Sequence, residues 1–150
     1  MEKSVSYRIV PELKVILCHF QGAITLDDVV KINLQFINDK AFDLSFDVIL
    51  DFRDSIALGY RMEVFEYVEF LKRTIKLKRR VKVAILTNSI NQEFLVGAYI
   101  PIAKVLRMDV AKFYRMEECL QWMGYSEEQQ LAIHESFKGM RSSALSVMNN

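Results

Sequence analysis

Short runs of apolar residues, each bounded by polar or turn-forming residues, predict five β-strands along the chain. Gly22 is expected to end the second strand, because glycine interrupts strands. The third contains Val48-Ile49-Leu50, a continuous apolar run typical of a strand that is covered on both faces of a sheet. The predicted strands are residues 7–10, 13–20, 46–52, 81–87 and 110–114.

Apolar residues at helical spacing predict two helices in the first half of the chain. The first opens with Thr25-Leu26-Asp27-Asp28, a capping box in which Asp28 stands where Glu or Gln is usual. Its apolar residues form two neighbouring stripes, so burial on two sides is expected. The second helix is expected over residues 60–78. Its predicted buried face consists of Val64, Val68, Leu71 and Ile75.

Two helices are predicted between the fourth strand and Gly124. Asn88 or Ser89 is expected to cap the first of them, and Pro101 inside it should kink or split it. The second covers residues 116–123 and is expected to end at Gly124.

A last helix is predicted near the end of the chain, where Ser126-Glu127-Glu128-Gln129 forms a capping box. Gly139 is expected to end it, before a loosely ordered tail. The order of elements is then β-β-α-β-α-β-α-β-α-α. A hairpin followed by alternating helices and strands predicts an α/β fold, with a mixed, mostly parallel sheet of about five strands and packed helices.

The most specific motif lies in residues 113–123, where a strand runs into a short helix. Its residues Glu117, Glu118, Cys119, Leu120, Trp122 and Met123 form a Glu-Glu-small-Leu-x-Trp-apolar pattern. Before it come a strand ending at Gly22, a helix opening at Thr25 and a strand ending in Leu50-Asp51. The arrangement resembles the STAS group of domains, and its SpoIIAA-like branch in particular. The resemblance covers about residues 5–124, within one domain that fills the 150 residues.

The resemblance implies a non-catalytic module that regulates or binds another protein. Anti-sigma-antagonist members of the group are switched by phosphorylation of a Ser or Thr in an Asp-Ser-Ser-Gly-like stretch at the start of a helix. This chain departs from that motif, because Gly59-Tyr60-Arg61 stands in its place and Asp54-Ser55 comes too early. The branch is also similar in fold to lipid-carrying CRAL-TRIO domains. A carrier of a small apolar or amphipathic ligand is therefore the alternative function.

The balance of charges bears on the class of partner. The chain has 20 Lys and Arg residues against 19 Asp and Glu residues, a formal net charge of +1. So weak an overall field does not steer nucleic acid to a protein, and no nucleic-acid partner is expected. A basic cluster over residues 72–82 is interpreted as the positive end of a helix whose first half is acidic, with an anionic partner as the alternative.

Cysteine usage and hydropathy bear on the compartment. Cys18 and Cys119 lie far apart among apolar residues, which is typical of reduced, buried thiols in the cytosol. The amino terminus lacks the apolar segment of a signal peptide, and the apolar stretch over residues 94–103 is too short to span a bilayer. We therefore expect a cytoplasmic protein without a membrane span.

Few side chains suit catalysis or metal binding. Of the two histidines, His19 is expected to be a hydrogen-bonded structural residue and His134 to face solvent. The five glycines lie too far apart to form a phosphate-binding loop, and no Cys or His spacing fits a zinc site. We expect no catalytic residue, no metal and no cofactor.

The candidate binding surface is the edge formed by the carboxyl ends of the parallel strands, where ligands and partners of open α/β sheets bind. One loop after a strand is expected to supply Asp51, Arg53, Asp54 and Ser55, and the next Thr87, Asn88 and Ser89. Tyr60 and Arg61, at the start of the second helix, complete the candidate set. Two alternatives remain open: Asn88 and Ser89 cap a helix, and Asp51 with Arg53 forms an internal ion pair.

An excess of apolar residues on the first and last helices suggests self-association. The residues concerned are Val29, Ile32, Phe36, Leu131, Ile133 and Phe137. Ordinary burial in the core is one interpretation, and a homodimer surface or a ligand lid is the other.

Overall fold

The strands of the sheet follow one another across it in chain order. The structure is a computed structural model that describes residues 2–59, 61–76 and 80–149, without the side chains of residues 61–64 and 144–149. The strands are β1 (Ser4–Val10), β2 (Val15–Ile24), β3 (Asp47–Ala57), β4 (Val81–Leu86) and β5 (Met108–Phe113). A short 3-10 turn joins β1 to the antiparallel β2, and all other neighbouring strands are parallel. The predicted mixed, mostly parallel α/β sheet with an amino-terminal hairpin is confirmed.

Helices cover both faces of this sheet. They are α1 (Leu26–Ile37), α2 (Arg61–Thr74), α3 (Gln92–Val105), α4 (Met116–Met123) and α5 (Glu127–Asn149). Each parallel crossover moves one strand further in the same direction, so right-handed connections place α1, α2 and α3 on one face. The helices α4 and α5 follow the last strand and pack on the other face.

The alternation of side chains along the strands divides the core into two layers. On β2, Ile16, Cys18 and Phe20 join the cluster under α1, α2 and α3. Val15 and Leu17 point the opposite way and join the cluster under α4 and α5. A central strand therefore needs apolar residues at nearly every position, which explains the continuous apolar runs in the sequence.

Both β2 and β3 are longer than predicted. The strand β2 does not end at Gly22 but continues to Ile24, with φ +81° at this glycine. A Cβ atom there would lie 2.8 Å from the carbonyl oxygen of Glu2, so only glycine fits. The strand β3 reaches Ala57 because its last residues pair with the extension of β2. The predicted polar loop over residues 53–55 was therefore wrong, and those residues belong to a strand.

The predicted capping box at Thr25 is confirmed, since the Thr25 and Asp28 side chains each accept the other residue's backbone N–H. The prediction that α1 is buried on two sides was wrong, because its Leu34 is exposed. Neither Asn88 nor Ser89 caps α3, which begins at Gln92, and Pro101 lies inside that helix without splitting it. The local motifs therefore predicted the start of α1 correctly, but they did not predict the exposed face of α1 or the first residue of α3.

The carboxyl-terminal helix differs most from expectation. The capping box at Ser126 is present, but α5 does not end at Gly139 and instead continues to Asn149. Gly139 packs against the guanidinium group of Arg8 on β1. Of the apolar excess on α1 and α5, only Leu131 is exposed, so the other members fill the protein's own core.

Candidate functional site

Asp51 is the most deeply buried charged residue of the candidate set, with no exposed surface. Its Oδ1 accepts hydrogen bonds from the backbone N–H of Arg53 at 3.1 Å and from Arg53 Nε at 3.0 Å. Its Oδ2 accepts from Arg53 Nη2 at 3.0 Å and from Arg141 Nη2 at 3.1 Å. The internal ion pair between Asp51 and Arg53 is confirmed, and Arg141 of α5 completes it.

The carboxylate of Asp54 on β3 contacts both Arg141 on α5 and His19 on β2. His19 is fully buried, and its Nε2 lies 2.8 Å from Asp54 Oδ2, which also forms an ion pair with Arg141 Nε at 3.1 Å. Arg141 Nε also lies 3.5 Å from His19 Nε2, at the long limit of a hydrogen bond, so the ion pair with Asp54 is the closer contact of this group. His19 is thus the hydrogen-bonded structural residue that its strand position suggested. We call His19, Asp51, Arg53, Asp54 and Arg141 the α5 clamp.

The α5 clamp balances two carboxylates against two guanidinium groups and thereby holds α5 to β2 and β3. Two candidate nucleophiles of this region, Cys119 and Ser55, are not activated. Burial raises the pKa of the nearby Cys119 thiol to about 12, so this thiol remains protonated at neutral pH. The Ser55 hydroxyl donates to the Phe52 carbonyl oxygen instead of pointing towards His19. The geometry fits a structural role.

The ionisation of Asp54 reflects its partners. Partial burial alone would raise the pKa of this carboxyl group. The hydrogen bond with His19 and the charges of Arg141, His19 and Arg53 outweigh that effect and lower the pKa of Asp54 below its ordinary value. Folding therefore favours the ionised carboxylate.

We expect the contribution of Asp54 to stability to be lost in acid. The unfolded chain takes up the proton first, so the contribution is complete above about pH 4, the ordinary pKa of Asp, and disappears as the pH falls through the lowered folded value. Urea unfolding of the wild type and Asp54→Asn should show a gap in unfolding free energy that narrows towards low pH. A gap that stays constant or widens on acidification would contradict the proposed pairing.

On the next loop, the predicted residue Asn88 and the unpredicted Asn91 form a separate, uncharged network. Asn88 Nδ2 donates to the carbonyl oxygens of Arg53 and Ser55, and Asn91 Nδ2 donates to those of Phe52 and Ser55. The backbone N–H of Ala57 donates to Asn91 Oδ1 at 2.7 Å. These amides satisfy the backbone of β3 where it extends beyond β4, and they hold the two loops together.

The remaining predicted site residues do not join either network as binding groups. Thr87 is buried and its hydroxyl donates to the carbonyl oxygen of Asn88, while Ser89 is exposed. Tyr60 lies outside the described residues, and Arg61 begins α2 without a described side chain. The structure therefore places Asp51, Arg53 and Asp54 in the α5 clamp and Asn88 in the amide network, and leaves Thr87 and Ser89 outside both.

Three exposed apolar side chains surround the amide network at the carboxyl edge of the sheet. They are Ile56, Leu58 and Ile90, which are 48%, 52% and 68% exposed. Ile56 and Leu58 flank Ala57, and Ile90 precedes Asn91, so the hydrogen bond from Ala57 to Asn91 places the three residues in neighbouring segments of this edge. We call them the carboxyl-edge patch. The sequence does not reveal this patch, because the exposure of an apolar residue depends on which distant elements cover it.

An apolar pocket lies between the sheet and the layer of α1, α2 and α3. Its cavity volume is about 50 Å³, and Phe36, Leu71 and Ile102 are among the apolar residues of its wall. Asn33 Nδ2 donates to Tyr67 Oη at 3.1 Å inside the same wall. Burial raises the pKa of Tyr67 to about 12, so its hydroxyl stays neutral. The pocket offers a mostly apolar surface, with Asp43 also in its lining.

No group of three or more His, Cys, Asp or Glu residues is arranged to hold a metal ion within residues 2–59, 61–76 and 80–149. In those same ranges, no helix has both the length and the apolar character needed to cross a bilayer.

Comparison with known proteins bears on the fold. No protein-family model and no curated protein match the chain. The crystal structure of an uncharacterized protein of the DUF3478 family from Shewanella loihica PV-4, described as having a SpoIIAA-like fold, matches with a TM-score of 0.54. The match covers 81% of this chain and 95% of that chain, at 13% sequence identity. The fold is SpoIIAA-like.

The SpoIIAA-like fold confirms the resemblance inferred from residues 113–123 and from the order of elements. At 13% identity the likeness concerns the backbone architecture alone. The α5 clamp and the carboxyl-edge patch are therefore described from this chain's own residues.

Proposed function

We propose that this SpoIIAA-like protein is a non-catalytic module that binds another protein through the carboxyl-edge patch. The observation that carries the proposal is the exposure of three large apolar side chains, Ile56, Leu58 and Ile90, in neighbouring segments of the sheet edge. Such exposed apolar residues next to polar groups are typical of interaction surfaces. They also lie where partners of open α/β sheets usually bind.

Rigid support strengthens this proposal. The amide groups of Asn88 and Asn91 fasten the loop after β4 to the backbone of β3 with distances between 2.7 and 3.1 Å. The patch is thereby ordered before a partner arrives, which reduces the entropy lost on binding. The same hydrogen bonds engage the amide groups of Asn88 and Asn91, which favours a supporting role for these side chains over a catalytic one.

A photo-crosslinking residue tests the proposal in cells that make the protein. Incorporated in place of Ile90, it should give discrete protein adducts, and Ile56→Asp in the same chain should abolish them. Incorporation in place of Leu131, which is equally exposed on the other layer, is the matched control. An adduct of twice the chain's mass would identify the partner as a second copy. No adduct at Ile90, or the same adducts at both positions, would refute the proposal.

A carrier of a small apolar ligand is the second candidate, and the apolar pocket is the observation that favours it. With a volume of about 50 Å³, the pocket is much smaller than the cavity of about 150 Å³ that binds benzene in an engineered protein. It would therefore hold only a few atoms without movement of the helices. Native mass spectrometry of gently purified protein tests the carrier function. A reproducible added mass that is lost on denaturation would support it, and bare protein would argue against it.

A further inference from the structure

The strand β5 has one free edge, because it is the last strand of the sheet. The backbone N–H of Thr87 donates to the carbonyl oxygen of Phe113, so Phe113 directs its main-chain groups towards β4. Main-chain groups of successive strand residues point to opposite edges. Met108, Val110 and Lys112 therefore direct their N–H and C=O groups outwards, and no other described residue makes a main-chain hydrogen bond to them.

An open groove of about 660 Å³ runs along this free edge. Ala103 and Lys104, at the end of α3, line it on one face of the sheet, and Trp122 of α4 lines it on the other. Lys82 holds Trp122 in place, because its Nζ donates to the Trp122 carbonyl oxygen at 3.0 Å and lies 5.3 Å from the ring centroid. The strand β5 contributes Met108, Asp109, Val110 and Ala111 to the lining of the groove. Such a site fits an added strand, which would lie about 4.8 Å from β5.

The surroundings of this groove are strongly basic, although the whole chain has a net charge of only +1. The cations on or beside the edge are Arg80, Lys82, Lys104, Arg107 and Lys112, and the acid among them is Asp109. Arg80 Nε donates to Asp109 Oδ1 at 3.0 Å, which neutralises that acid. Among the described residues, Lys104, Arg107 and Lys112 have no ion-pair partner. Unpaired positive charge therefore follows the free strand.

The unpaired positive charge along β5 favours an acidic segment over a second copy of β5 as the added strand. Pairing β5 with the same strand of a second copy would bring two sets of these cations together, and basic residues on edge strands oppose such self-pairing. An extended segment with acidic side chains has the opposite charge and the same need for main-chain partners. We propose that the β5 edge binds an extended acidic segment of a partner protein as an additional strand.

The bound segment makes two kinds of contact in this arrangement. Its main chain pairs with the outward groups of Met108, Val110 and Lys112, which gives affinity without sequence preference. Its acidic side chains reach Lys104, Arg107 and Lys112, and an apolar side chain on the other face covers Trp122. The groove lies at the amino ends of β4 and β5, and the carboxyl-edge patch lies at the opposite ends of the strands. The two surfaces are independent, so failure of this proposal leaves the proposed function standing.

Trp122 makes the proposal directly testable, because it is the only tryptophan of the chain. The probe is a short capped peptide of alternating Glu and Val, and the matched control peptide has Lys in place of Glu. We expect the Glu peptide to change Trp122 fluorescence saturably and to slow hydrogen exchange of the Val110 and Lys112 amides. The Lys peptide should do neither, and added salt should weaken the binding of the Glu peptide.

Charge reversal on the edge supplies the second test. The double variant Lys104→Glu, Arg107→Glu should lower affinity for the Glu peptide by about tenfold or more. The control Lys138→Glu, an exposed position on α5, should leave affinity unchanged. The proposal is overturned if the Glu peptide gives no saturable change at millimolar concentration, or if the Glu and Lys peptides act alike. Binding without protection of the outward amides would show attraction by charge alone and would also overturn it.

Discussion

Asp51→Asn is expected to lower the free energy of unfolding by about 3 kcal/mol, because it removes the central anion of a buried ionic network. The carboxylate is fully buried and accepts hydrogen bonds from both Arg53 and Arg141. The variant leaves two guanidinium groups facing a neutral amide. Their side chains are 26% and 38% exposed, so partial hydration keeps the loss near the lower end of the range for broken buried pairs.

Urea denaturation measures this loss, with Asp109→Asn as the matched control. Both variants remove one carboxylate that is paired with arginine, but the Asp109–Arg80 pair is largely in water. Surface pairs of this kind contribute less than about 1 kcal/mol. Equal losses in the two variants would mean that the α5 clamp contributes no more than a surface pair, and its role in holding α5 would have to be abandoned.

Phe52→Ala is expected to cost about 4 kcal/mol, because it opens a cavity in the larger core layer and removes an aromatic stack. Phe52 and Phe20 are both fully buried on adjacent strands, and their rings stack with centroids 4.2 Å apart. Phe65→Ala is the control, since Phe65 is 67% exposed on α2 and should change stability by no more than about 0.5 kcal/mol.

A double-mutant cycle with Phe20→Ala separates stacking from simple burial. If the stack contributes, the double variant should lose less free energy than the two single variants added together, by about 0.5–1.5 kcal/mol. Additive losses would show that each ring acts through its own burial. A small loss in Phe52→Ala alone would contradict the position assigned to this residue in the core.

The fold class was predictable from local patterns in the sequence, namely the apolar runs of the strands and the helical spacing of apolar residues. Strands buried on both faces need continuous apolar runs, and those runs located the cores of β2, β3 and β4. Capping boxes at Thr25 and Ser126 placed the starts of α1 and α5, because each box is formed by residues three apart in the chain. The resemblance to SpoIIAA-like domains rested on the same local signals.

The candidate site was only partly predictable. The edge after β3 was located, and the pairing of Asp51 with Arg53 followed from two residues close in sequence. Arg141 was missed, because it comes 90 residues after Asp51 on a helix that was expected to end at Gly139. No local pattern marks a surface arginine as the partner of a buried acid. The exposure of Ile56 and Ile90 was equally invisible, since apolar residues were assigned to the core.

The sequence by itself determined the order of the elements and the mixed sheet with its hairpin, because these depend on neighbours in the chain. Only the tertiary structure decided that Arg53 and Asp54 continue a strand, that α5 covers them and that one edge of the sheet remains free. Polar residues remain in a strand when distant residues satisfy their charges and their backbone. That condition depends on which elements meet in space, and the periodicity of a single segment contains no information about it.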